Sequence, residues 1–215
     1  MTKNFKKRTF TSFSLVILLA LIFKFKLILL SSLLILGILA IIEFFNLTKN
    51  ILTNKLNYFL LNLIFIIYLF IFCLMFFIFS NFYELKTILV CILLACIASD
   101  IGGYITGNLV GGPKLSKISP KKTISGAIGS VIFSCILFSI LIYFFSNSIS
   151  FVVILIGAFI SLACQLGDLF FSYLKRKAKI KDTGNFLPGH GGVLDRLDGI
   201  LIGLPLGYFG FILFY

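Results

Sequence analysis

A chain of 215 residues in which 60% are hydrophobic and only 12% charged has too little polar surface to cover a soluble globule, whose apolar share is about 45–50%. The formal net charge of +12 would suggest nucleic acid in a soluble protein, but here the Lys and Arg stand between apolar blocks, where they orient a membrane protein and meet anionic headgroups. No nucleic-acid partner is therefore expected, and at about 20 apolar residues per span the chain has room for several spans and no separate soluble domain.

The N-terminal Lys3, Lys6, Lys7 and Arg8 precede an apolar run, 10–23, that looks like a signal peptide. No small-residue cleavage site follows, and Lys24-Phe25-Lys26 leads straight into more apolar sequence, so the run is read as an uncleaved first span. Further spans are expected at 27–45, 58–79, 86–107, 124–145, 149–171 and 197–215. The expected fold is all-α: one polytopic integral-membrane domain over 1–215 with about seven transmembrane helices, its N-terminal spans in 1–85 and its catalytic spans and loops in 86–215. With the N-terminus cytoplasmic, only Lys24, Lys26 and Lys86 of the nineteen Lys/Arg fall on the outer side, as the positive-inside bias requires. Fusing the first two runs into one span would put the N-terminal charges outside and leave Lys24 and Lys26 in the membrane. The five Cys lie within apolar runs and show no CxxC or Cys/His spacing, so they read as small buried hydrophobes rather than disulfides or zinc ligands. Glu43, near the cytoplasmic end of the second span, reads as a helix-end or packing residue.

Asp100, Asp168, Asp195 and Asp198 fall within or at the ends of spans, where a charge costs about 2.5–3.5 kcal/mol. The topology puts all four toward the cytoplasmic side, where they could converge. Asp168, Ser172 and Lys175 are spaced to share one helical face, and Asp195 and Asp198 share one on the next helix. Facing carboxylates among Lys and Arg suit a divalent metal and a phosphate. Ion pairing, Asp168 with Lys175 or Arg176 and Asp195 with Arg196, explains the same spacing, and the two readings stay open.

Two polar loops, 108–123 and 172–196, lie on that same side. The second carries six Lys/Arg against Asp182 and Asp195, and its Gly184, Pro188, Gly189, Gly191 and Gly192 stand just before a helix. Glycine lets the backbone approach a ligand closely, and a helix N-terminus offers N–H groups to an anion. A flexible connection between spans is the plainer explanation of the glycines. The first loop combines Gly, Ser/Thr and Lys, ending in Lys121-Lys122-Thr123, as a polyphosphate-binding surface needs, though orienting the chain would demand the same lysines. His190 is either a general base or a loop-shaping residue.

From Ser172 onward, Lys175, Arg176, Lys181, Asp182, Gly184, Leu187, Pro188, His190, Gly191, Gly192, Asp195, Arg196 and Asp198 strongly resemble the signature of the phosphatidate cytidylyltransferases, the CDP-diacylglycerol synthases. Upstream, Gln165-Leu-Gly-Asp168 resembles that family's acidic motif, and Asp100-Ile-Gly-Gly-Tyr104 and residues 114–123 resemble its two middle motifs. The resemblance covers about 98–215. It implies attack of a phosphatidic acid phosphate on the α-phosphate of CTP with release of pyrophosphate, Mg²⁺ held by Asp168 and Asp195, and room for a monovalent cation such as K⁺. The residues expected to act on the reacting groups are Asp168, Asp195, Asp198, Lys175, Arg176 and Arg196. Those expected to bind substrate are Asp100, Lys121, Lys122, Ser172, Lys181, Asp182, His190, Gly191 and Gly192. The resemblance further implies phospholipid biosynthesis in a bacterial inner membrane with the active site facing the cytoplasm, and it allows a homodimer.

The sequence departs from the family pattern at Asn108, where Lys or Arg is common, at Ser125, where Glu is frequent, and in an N-terminal half shorter by one or two spans. Two other functions compete. A CTP-dependent lipid kinase would transfer the γ-phosphate and release CDP, whereas a secondary transporter would show broken helices in paired halves, and no such internal symmetry is visible.

Overall fold

The computed structural model describes residues 14, 17, 18, 20–116, 118–148, 150–186 and 191–214. Within them six helices are long and apolar enough to cross a membrane: α1 Lys26–Lys49, α2 Lys55–Ser80, α3 Tyr83–Leu109, α4 Ile124–Ser146, α5 Phe151–Lys177 and α6 Leu194–Phe214. The protein is an all-α integral membrane protein. Half of the expected first span, 10–23, lies outside the described residues. Residues 20–24 are helical and Phe25 is extended (φ −122°, ψ 115°), so α1 starts anew at Lys26. The described residues include an isolated β-bridge between Lys114 and Thr123.

The spans stand close to their expected positions, and the largest difference is at α5, which runs on through Lys175, Arg176 and Lys177. These cations sit where the helix dipole favours them. The end is sealed beyond them: Lys179 takes a left-handed conformation (φ 57°), its N–H donates to the Arg176 carbonyl at 3.1 Å, and the Ile180 N–H donates to the Lys175 carbonyl at 3.0 Å. That bond pattern terminates a helix, usually with Gly at the left-handed position.

The described chain forms two compact units, one from Met1–Asn81 with Leu174–Leu197 and the other from Phe82–Tyr173 with Asp198–Tyr215. In the first, α1 and α2 pack through aromatic rings, with Phe44 and Phe65 stacked at 3.8 Å between centroids. One polar link crosses this apolar seam, from the buried Thr48 hydroxyl to the Asn62 side-chain oxygen at 3.0 Å.

In the second unit small residues set the spacing of the helices. A Cβ at Gly102 would meet the Phe133 Cβ at 2.6 Å, one at Gly126 the Gly103 carbonyl at 2.9 Å, and one at Gly129 would overlap the Thr106 side chain. On α5, a Cβ at Gly157 would lie 2.8 Å from the Cys135 Cα. Between lipid-facing helices burial against water supplies no attraction, so close backbone approach and van der Waals contact hold them together.

Substituting Gly129 by Ala should therefore overpack the α3–α4 seam at a cost of about 1–3 kcal/mol. Thermal unfolding in detergent should show a lower Tm, and an unchanged Tm would mean that Thr106 yields freely.

Candidate functional site

In the second unit α3 ends at two glycines with positive φ, Gly111 (64°) and Gly112 (105°). Such angles are open to glycine at little steric cost, and they turn the chain back on itself. The return is held by the Leu115 N–H on the Lys122 carbonyl (2.8 Å) and the Ile124 N–H on the Pro113 carbonyl (3.0 Å). Thr123 then caps α4, its hydroxyl accepting from the Gly126 N–H at 3.1 Å. The Ser125 hydroxyl donates to the Gly111 carbonyl and so ties the loop to its own glycine turn.

This loop sets Lys122 against α5, where its ammonium lies 2.6 Å from the Asp168 carboxylate. Around the pair is a cavity of about 240 Å³. Its walls are Asp100, Tyr104, Gly107 and Asn108 from α3, Lys121 and Thr123 from the loop, Gly126 and Ser130 from α4, and Gln165 on α5. Gln165 is oriented by donating to the Ala127 carbonyl and the Ser161 hydroxyl, both at 3.2 Å, and Ser161 is paired in turn with the buried Ser99 at 2.8 Å. Asp100, Asp168, Lys121 and Lys122 thus come together here. Asp198, in the same unit, accepts from the Gly199 N–H at 3.0 Å. Ser172 is half-buried on α5.

In the first unit the signature segment folds around two carboxylates. One oxygen of Asp195 pairs with the Lys175 ammonium at 2.8 Å, and the other accepts the N–H groups of Thr183 (2.8 Å) and Gly192 (3.0 Å). The second carboxylate is that of Glu43 on α1, only 1% exposed. It accepts from the Thr183 hydroxyl at 2.7 Å and from the N–H groups of Val193 (2.9 Å) and Leu194 (2.8 Å) at the start of α6. Gly191 (φ 85°) makes the turn into that helix. A Cβ at Gly192 would collide with both Glu43 and Thr183. Lys181, Asp182, Arg176 and Arg196 are exposed; His190 lies outside the described residues.

The ion pairs differ from those expected on spacing: Asp168 pairs with Lys122 from a loop 46 residues away, and Asp195 pairs with Lys175. Spacing along one helix could not anticipate either partner, because Lys122 stands on a loop and Asp195 on a different helix from Lys175. Glu43, read as a helix-end or packing residue, meets the N-terminus of another helix and Thr183 before it rather than the end of its own helix. The available signal was a lone acid within an apolar run, the same signal that singled out the four aspartates.

Side-chain exposure is 13% for Lys175 and 9% for Asp195, against 33% for Lys122 and 18% for Asp168. Removing one partner of a buried pair strands the other charge, at about 3–5 kcal/mol, whereas more exposed pairs contribute about 1 kcal/mol or less. Because Asp195 keeps two N–H donors, Lys175→Met should destabilise by about 3 kcal/mol, and Lys122→Met by about 1 kcal/mol or less. Denaturant unfolding in micelles checks the order, and equal losses would contradict it.

Comparison with known proteins places this geometry. Residues 1–214 match the model of the cytidylyltransferase family. A phosphatidate cytidylyltransferase of Rickettsia bellii is 46% identical over 120 residues, which are 51% of this chain and 51% of that protein. Proteins of the same name from Helicobacter pylori and Bacillus subtilis are each 42% identical, over 112 and 125 residues; these cover 52% and 56% of this chain and 42% and 46% of the relatives. The chain thus spans about half the length of the curated relatives it matches. A match that runs nearly end to end, over a chain whose signature lysines and aspartates are drawn into close pairs, means that this chain belongs to the cytidylyltransferase family.

Proposed function

We propose that the chain acts as a phosphatidate cytidylyltransferase, transferring CMP from CTP to phosphatidic acid to give CDP-diacylglycerol and pyrophosphate. The observation that carries this reading is the lysine- and aspartate-lined cavity at Asp168 and Lys122 in a chain whose relatives bear that name. A phosphatidate phosphate oxygen attacks the α-phosphorus of CTP, a new P–O bond forms, and the bond from the α-phosphorus to the bridging oxygen breaks, so that pyrophosphate leaves. Both reactants are polyanions. The protein's tasks are to hold them in line and to offset their charge, which Lys121, Lys122, Lys175, Arg176, Lys181 and Arg196 are suited to do.

Among the described residues no three His, Cys, Asp or Glu side chains gather as a ready-made metal cage. Mg²⁺ commonly takes one or two carboxylates and completes its shell with substrate phosphate and water, and Asp168 and Asp195 each offer one such carboxylate. When bound, the ion would offset triphosphate charge; K⁺ remains a candidate second cation. Orientation by the positive-inside bias would place the two polar loops in the cytoplasm of a bacterial inner membrane, where CTP is delivered from water and the lipid from the bilayer.

The test supplies purified protein in detergent with Mg²⁺, α-labelled CTP and phosphatidic acid. Label should move into a chloroform-soluble CDP-lipid, whereas label recovered only as CDP would point to a kinase. Asp168→Asn should lower turnover at limiting Mg²⁺ by at least tenfold; near-normal turnover would remove Asp168 from the metal-binding role.

A further inference from the structure

The buried carboxylate of Glu43 stands outside everything the proposed chemistry uses. It lies on α1, and the described residues that donate to it are Thr183, Val193 and Leu194, all in the signature segment or at the first turn of α6. Carboxylate oxygens accept hydrogen bonds, and each of these three partners donates one. The Val193 and Leu194 N–H groups are among those a helix start leaves without intrahelical partners, so Glu43 satisfies them from another helix.

The same short segment is gripped from its other side by Asp195. Thr183 gives its hydroxyl to Glu43 and its N–H to Asp195, while Gly192 gives its N–H to Asp195 just before Val193 and Leu194 turn to Glu43. Thr183 and residues 192–194 are therefore clasped between two carboxylates. Packing leaves little slack: a Cβ at Gly184 would stand 2.5 Å from a Glu43 oxygen, and one at Gly191 would stand 3.1 Å from an Asp195 oxygen.

We infer that Glu43 is a positioning residue for cytidylyl transfer: through Thr183 and the α6 N-terminus it fixes the loop that holds the Asp195 carboxylate and its Lys175 partner in their working orientation. This role rests on the proposed function, and nothing in the 98–215 signature contains Glu43. Substitution by Gln keeps the shape but turns one acceptor atom into a donor, which must then face either the Val193 N–H or the Thr183 and Leu194 donors. The fault is local and falls on the loop rather than on the apolar packing around it.

The experiment compares the full chain with Glu43→Gln, and with Thr183→Val as a milder variant that removes one of the three donors. Two measurements are made on the monodisperse fraction: amide hydrogen exchange, and CDP-lipid formation with Mg²⁺, CTP and phosphatidic acid. In Glu43→Gln, peptides covering 183–194 should exchange at least tenfold faster while those of α3 and α4 are unchanged. The kcat per folded molecule should fall at least tenfold, with KM for CTP rising no more than about threefold. Thr183→Val should move both readouts in the same direction by a smaller factor, and Thr183→Ser should recover most of the exchange protection. Native exchange at 183–194 in Glu43→Gln, or kcat within twofold of the parent, would overturn the assignment. A loss confined to the amount of folded protein would overturn it too, because packing alone does not change turnover per folded molecule. A parent that makes no CDP-lipid, with Glu43→Gln still loosening 183–194, would support the clasp and overturn the proposed function instead.

Discussion

The first unit depends on how a buried carboxylate is satisfied. A charge placed in an apolar helix is costly unless donors surround it, and the start of α6 has the complementary problem of N–H groups without acceptors. Glu43 solves both at once, meeting Val193 and Leu194 at 2.9 and 2.8 Å. Because the donors are backbone groups, the segment that supplies them has to come close, and Gly184 and Gly192 stand where a side chain would strike the carboxylate. Two glycines of the signature, Gly184 and Gly192, are explained here by contact with an acid far upstream in the sequence.

The second unit meets the same constraint by another route. Its helices approach through Gly102, Gly126 and Gly129, and the α3–α4 connection turns back on itself at Gly111 and Gly112. Lys122 is carried by that turn to Asp168, so the position of a charged side chain follows from the packing of uncharged ones. In both units a lysine meets an aspartate within hydrogen-bond distance, as expected where ionic groups cannot rely on bulk water.

The spans were legible in the sequence because hydrocarbon thickness fixes the length of an apolar run, and α1 to α6 begin and end within a few residues of the runs that announced them, apart from the extension of α5. The aspartates at 100 and 168 and the lysines at 121 and 122 were legible as chemistry because charge is expensive there, and they line one cavity. Their pairing was not legible. Helical spacing relates residues on the same helix, whereas Lys122 reaches Asp168 through a loop whose path is set by Gly111 and Gly112. Glu43 escaped for the same reason, since its partners lie 140 to 151 residues away. Ser125 looked like a departure from a pattern until its bond to the Gly111 carbonyl gave it a place in the turn.

Among the described residues, the charged groups lining the cavity of the second unit are Asp100, Asp168, Lys121 and Lys122, two of each sign. Its walls therefore offer an incoming anion fixed dipoles and movable ammonium groups, but no net positive charge. An incoming polyanion therefore competes with Asp168 for Lys122, or arrives with counter-ions of its own. In the first case the resting ion pair works as a latch that the anion has to open.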